Sequence, residues 1–98
     1  MRKIKKYAHD IKDEVCGAMD YAEKYVEYKI SKPTWAKYYK TMAEQELQHA
    51  AYLHEMATSE IEELKKTYTP PVEMLEAWER AHHKYVDKAA RVRQLLAM

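Results

Sequence analysis

Glycine, proline and cysteine are scarce in this sequence, and phenylalanine does not occur. The 98 residues include one Gly, three Pro and one Cys, against nine Tyr. So few turn-forming residues argue against a small all-β fold, which needs a tight turn about every 8–12 residues. The single cysteine, Cys16, excludes an internal disulfide and a cysteine-rich zinc framework. It is typical of a reducing compartment, so we expect a cytoplasmic protein.

The chain also lacks an excess of charge of one sign and any long apolar run. Seventeen Lys and Arg against sixteen Asp and Glu give a net charge of +1. Nucleic acid is therefore an unlikely partner, because dedicated binders carry a strong positive excess. No stretch approaches the roughly 18 apolar residues of a membrane span, so we expect no membrane partner. The length predicts a single domain over residues 1–98.

Two proline-containing segments divide the chain into three helices. Prolines are tolerated at helix starts and disrupt helix interiors, and Ser31 or Lys32, and later Thr69, stand where N-cap residues belong. Apolar residues recur at steps of three and four in each part, which predicts amphipathic helices. The short first connection predicts an antiparallel hairpin followed by a third, C-terminal helix, an all-α fold. The predicted helices span about residues 5–30, 33–67 and 71–97.

Three charged or polar side chains interrupt the apolar rows of the first two helices. Glu14 is the only charge in the row of Tyr7, Ile11, Ala18, Tyr21 and Tyr25. Glu46 and His49 lie in the middle of a row made of Trp35, Tyr39, Met42, Leu53 and Met56. A buried carboxylate costs several kcal/mol unless it is paired or binds a metal. We therefore expect a common partner for the three groups inside the hairpin.

Glu14, Glu46 and His49 should also lie at one level of the hairpin. If the chain turns near residue 32, Glu14 is about 18 residues before the turn, and the other two are about 14 and 17 after it. At a rise of ~1.5 Å per residue, these positions come within about one helical turn. Carboxylate and imidazole suit iron, manganese or zinc. The alternative is a polar layer in which Glu46 and His49 bond each other or a tyrosine hydroxyl.

Glu14, with Glu46-x-x-His49 on the next helix, resembles half of the ferritin-like dimetal motif, in which two helices give a Glu each and two give Glu-x-x-His. In length and layout the chain is most similar to the short encapsulated-ferritin type. That resemblance implies a four-helix bundle completed by a homodimer or larger oligomer. It also implies a di-iron site between two copies of Glu14, Glu46 and His49, with these as catalytic ligands, and ferroxidase activity. The competing hypothesis is a non-catalytic helical interaction protein.

A second Glu-x-x-His pair, Glu79 and His82, occurs in the third helix. It would serve as a further metal-binding pair, replacing the ligands of a fourth helix within one chain. The third helix has a complete apolar row without these two residues. The alternative is therefore that Glu79 faces solvent and pairs with His83 at the i, i+4 spacing.

Overall fold

The computed structural model describes residues 2–98, and these form three α-helices without strands. Helix α1 spans Arg2–Tyr28, α2 spans Pro33–Thr67 and α3 spans Val72–Leu96. The molecule is a rod of 55 × 18 × 17 Å. The all-helical prediction is confirmed for the described residues. No helix within residues 2–98 combines the length and the apolar character required to cross a membrane.

Helices α1 and α2 form the predicted antiparallel hairpin. Lys3 near the start of α1 binds Glu60 near the end of α2, whereas Tyr28 at the end of α1 packs edge-on against Trp35 at the start of α2. Alanines at a strict seven-residue spacing form most of the buried side of α2: Ala36, Ala43, Ala50 and Ala57. Because an alanine projects only one methyl group, the two helices can approach closely along this line.

Helix α3 runs parallel to α1 and touches α2 at few places. One apolar cluster joins Ile4, Ile61 and Met74 at one end of the rod. A second cluster at the other end joins Ala18, Ala22, Ala43, Val92, Leu95 and Leu96. Burial of Ile4 in the first cluster explains why α1 begins at Arg2 instead of the predicted residue 5.

The row of α2 that was expected to face the interior of the hairpin is only partly buried. Trp35 is 47% exposed and Met56 is 46% exposed, while the alanine line is buried. Hydrophobicity favours the larger side chains as core, but close helix packing selects the smallest ones. Within one chain Glu46 is half-buried and His49 is exposed, and no charged side chain of residues 2–98 is fully buried. Their burial between two copies of the chain stays a prediction.

The start of α3 differs from its prediction, whereas the start of α2 agrees with its prediction. Lys32 is the N-cap of α2, and Pro33 occupies its first turn as expected. Thr69 is not the N-cap of α3, because that position belongs to Pro71. A residue before a proline is biased away from helical backbone, and Thr69 and Pro70 each precede one. Both therefore stay outside the helix.

Candidate metal centre

Glu14, Glu46 and His49 converge on one side of the hairpin, about midway along it. One ligand atom from each lies within 4.8 Å of the ligand atoms of the other two. The Nδ1 atom of His49 is 3.5 Å from Oε2 of Glu14 across the two helices. The i, i+3 spacing places Glu46 and His49 one above the other on α2, and Glu14 meets them from α1. The structure thus brings together the three side chains that the sequence singled out.

The two carboxylates stand close enough to share a proton. The pKa of Glu46 is raised from 4.5 to about 7, first because the protonated carboxyl bonds Glu14, then because of burial and the negative charge of Glu14. A positive charge on His49 acts in the opposite direction. Two carboxylates held together in this way favour either a shared proton or a cation. A divalent ion would satisfy both at neutral pH.

The only glycine of the chain lies against this cluster. Gly17 is one turn after Glu14, and a Cβ added to it would stand 3.1 Å from Oε2 of Glu46. Glycine inside a helix costs about 1 kcal/mol relative to alanine. Here the missing side chain leaves room for the Glu46 carboxylate to turn toward Glu14. The position in the middle of a helix was a signal in the sequence, and sequence reasoning missed it.

The cluster opens toward solvent on an exposed apolar face of α2. His49 has a side chain that is 54% exposed, whereas Glu14 is 29% exposed. Large side chains on the same face of α2 as His49 are also exposed: Trp35, Tyr38, Tyr52 and Met56. We call these four residues with His49 the open face of α2. A metal bound here would have its free coordination positions on the side of this face.

The two members of the second Glu-x-x-His pair point to different neighbours. Glu79 binds Nε2 of His83 at 3.2 Å, the pairing expected in the solvent-facing alternative. His82 instead lies against α2, where its Nδ1 is 2.8 Å from Nε2 of His54. The ring of His54 stacks on Trp78 and Tyr85. Glu79 and His82 therefore do not join Glu14, Glu46 and His49.

The pair of His54 and His82 is a polar contact between α2 and α3 that sequence reasoning did not find. Burial, followed by the charge of a protonated His82, lowers the pKa of His54. In the neutral pair, one ring nitrogen donates to the other, and this hydrogen bond pairs one nitrogen of each ring. Spacing along either helix gives no signal of this contact, because it depends on how α3 lies across the hairpin.

Another group of acids and histidine lies on the solvent side of α1. His9, Asp10 and Asp13 have ligand atoms close together. Asp10 already binds Lys6 at 2.9 Å, and Asp13 lies 3.2 Å from His9 with both side chains about two-thirds exposed. Exposed groups that are already paired in this way are ordinary on a helix surface. We assign no site to them.

Comparison with known proteins adds no family assignment to this geometry. No family model matches the chain, and neither a curated protein nor a solved structure matches it. Function is therefore inferred from the arrangement of the side chains alone.

Proposed function

We propose that the protein binds divalent transition-metal ions through Glu14, Glu46 and His49, at an interface between two copies of the chain. The observation that carries the proposal is the convergence of the three ligand atoms within 4.8 Å. Two carboxylates and one imidazole are a donor set suited to iron, manganese or zinc. The role of the carboxylates is to offset the charge of the ion, and that of His49 is to fix its orientation.

The electrostatics of the cluster support a cation in place of a proton. Because the pKa of Glu46 is raised to about 7, a proton lies between the two carboxylates in about half of the metal-free molecules near pH 7. A metal ion displaces that proton and relieves the repulsion between Glu14 and Glu46. Because Gly17 leaves the Glu46 carboxylate unobstructed, it can move toward an ion without displacing backbone.

A second copy is the proposed cover for the open face of α2. One chain supplies three ligands, fewer than the four to six that these metals take. Exposed aromatic and methionine side chains surround His49, and such surfaces are typical of protein interfaces. Two hairpins packed through these faces would form a four-helix bundle with two metals between them. The ferritin-like resemblance has the same arrangement.

Within this proposal the metal is iron and the activity is that of a ferroxidase. Iron in such a site supplies one-electron chemistry toward oxygen or peroxide. The protein supplies a negatively charged ligand set, an imidazole and a cavity that a second copy closes to water. Manganese and zinc fit the same donors. A protein that holds zinc at this site, or that assembles without a redox-active metal, would not oxidise iron.

The second candidate is a non-catalytic helical interaction protein, which the open face of α2 favours independently. Trp35, Tyr38 and Tyr52 would be buried in an oligomer whether or not a metal binds. The two candidates differ in one measurable respect. Only a metal-binding protein gains stability as the metal concentration rises.

The test combines metal titration with measurement of mass in solution. Anaerobic Fe²⁺ is titrated into metal-free protein by calorimetry, and the oligomer is measured by sedimentation velocity with and without metal. The proposal predicts a dimer or larger oligomer that binds one iron per chain and whose melting temperature rises with iron. Oxygen is then added, and oxidation is followed by absorbance.

Matched variants decide between the candidates. Glu14→Ala and His49→Ala should abolish the binding, whereas Glu79→Ala, in the motif that does not join the cluster, should leave it intact. Equal weak binding by all four proteins excludes a metal centre at this cluster. An oligomer with melting behaviour unchanged by Fe²⁺ supports the interaction protein instead.

A further inference from the structure

A groove between α1 and α3 lies on the side of α1 that faces away from Glu14. Its cavity has a volume of about 640 Å³. Ile11 and Val15 of α1 lie buried at its base, and Met19 of α1 with Ala77 and Ala81 of α3 gives the floor its accessible apolar surface. The side chains of the two alanines are too small to fill the space between the helices. The groove is independent of the metal cluster, since neither Glu14 nor α2 contributes to it.

Positive side chains line both edges of this groove. Lys12 comes from α1, and a row along α3 consists of Arg80, Lys84, Lys88 and Arg91. The row follows the i, i+4, i+8, i+11 spacing of one helix face and extends over ~16 Å at ~1.5 Å per residue. Among residues 2–98, Asp87 is the only acidic side chain that lines the groove.

Some lysines elsewhere on the rod form ion pairs, whereas others among residues 2–98, such as Lys5 and Lys37, do not. Lys3, Lys6 and Lys65 each bind a carboxylate within 3.5 Å. In the described part of the chain, by contrast, none of the five groove cations forms an ion pair with a carboxylate. A protein with a net charge of +1 thus concentrates unpaired positive charge beside one apolar groove. That combination favours an anionic ligand with an apolar side.

We propose that this groove binds an acidic amphipathic helix of a partner protein. Four cations in a row over ~16 Å match a ligand that carries several negative charges at a similar spacing. A helix with acids at steps of three and four beside an apolar stripe provides both the charges and the side chains for the floor. A fatty acid carries its charge at one end and would leave most of the row unpaired.

Cys16 provides a reporter inside the same groove. Its Sγ lies 3.6 Å from Nζ of Lys88, and it is the only thiol of the chain. A helix seated between α1 and α3 would cover this thiol. Its rate of reaction with a thiol reagent therefore measures occupation of the groove directly, without any label added to the protein.

The test uses the full chain and a synthetic peptide of 18 residues with Glu at steps of three and four beside a leucine stripe. The control peptide has Gln in place of each Glu. We expect saturable binding of the acidic peptide in fluorescence anisotropy, and a slower reaction of Cys16. The double variant Lys84→Glu/Lys88→Glu should weaken binding about tenfold or more, whereas Lys37→Glu on α2 should have no effect.

Three outcomes would overturn the proposal. The first is failure of the acidic peptide to bind, and the second is equal binding of the Glu and Gln peptides. The third is binding of oleate or of anionic vesicles that protects Cys16 while the peptide does not, which would assign the groove to a lipid. Circular dichroism of the double variant shows whether it is folded. If it is not, the single variant Arg80→Glu carries the same comparison.

Discussion

The same four-residue pattern, Glu-x-x-His, occurs twice in this chain, but its two side chains converge in one case and separate in the other. Glu46 and His49 turn toward one point, where Glu14 meets them from the neighbouring helix. Glu79 and His82 separate, one to His83 on the surface and the other to His54 on α2. Spacing on one helix brings two side chains to one face, but the opposing helix determines whether they share a ligand.

The two regions also respond differently to protons. At the first, two carboxylates crowd together and the pKa of Glu46 is raised to about 7. At the second, burial and then the charge of a protonated His82 lower the pKa of His54. The first region therefore favours gain of a positive charge, whereas the second favours neutrality. Metal binding is assigned to the first region because three ligand groups converge there, whereas no third ligand group of residues 2–98 joins His54 and His82.

The largest expected effect is on metal affinity, and it separates the carboxylate of the first motif from that of the second. Glu46→Ala should lower metal affinity about 100-fold or more, since even groups that only support a ligand change affinity by 10–100-fold. Glu79→Ala should leave affinity unchanged and lower stability by ~0.3 kcal/mol, the value of an exposed pair. Calorimetric titration of both variants checks the comparison. Equal loss in both would mean that the two motifs are equivalent.

The second effect is on the pH dependence of metal-free stability. Glu46 has a folded-state pKa above its ordinary 4.5, so the folded protein keeps a proton that the unfolded chain loses. Stability should therefore fall as pH rises from 4.5 through about 7. Glu46→Gln should remove this fall and stabilise the metal-free protein at pH 8 by on the order of 1–2 kcal/mol, after allowance for solvent access. Urea unfolding at pH 5 and pH 8 measures it, and identical slopes in both proteins would contradict it.

The third effect concerns the pair of His54 and His82, where the stability of the protein changes with pH in the opposite direction. Since the pKa of His54 is lowered in the folded protein, stability should fall as pH drops below 6.5. His82→Ala removes the hydrogen-bond partner and should cost about 1 kcal/mol at pH 8. It should also reduce the loss at low pH, because His54 then has no charged neighbour there. Thermal melts at pH 5 and pH 8 test this, and a pH response unchanged by the substitution would count against it.

The smallest effect separates stability from binding at one position. Gly17→Ala should raise helix stability by up to about 1 kcal/mol, because alanine is the better helix former. The same methyl group would crowd Oε2 of Glu46, so metal affinity should fall. A variant that melts higher and binds metal more weakly is the expected result. Unchanged affinity would show that the glycine has no part in the cluster.

Much of the helical layout could be predicted from local chemistry. Pro33 and the pair at 70–71 mark the breaks between helices, and their effect on the backbone depends on neighbouring residues alone. The level of Glu14 with Glu46 and His49 follows from the short turn and the helical rise. Both features need no knowledge of how side chains pack.

Other features could not be predicted because they depend on tertiary packing. Ala43 and Ala50 carry a weaker hydrophobic signal than Trp35 and Met56, yet the alanines are buried and the larger side chains are open. Only the close approach of α1 and α2 reveals that preference. Likewise, the contact between His54 and His82 and the groove beside Lys88 depend on where α3 lies.

The most direct test of the metal centre is a crystal structure of the protein grown with Mn²⁺ or Fe²⁺ and measured at the absorption edge of that metal. We expect an anomalous peak about 2 Å from ligand atoms of Glu14, Glu46 and His49, with the ligands of a second copy across the open face of α2. A cluster without a peak, or a peak held only by Glu79 and His82, would contradict this expectation.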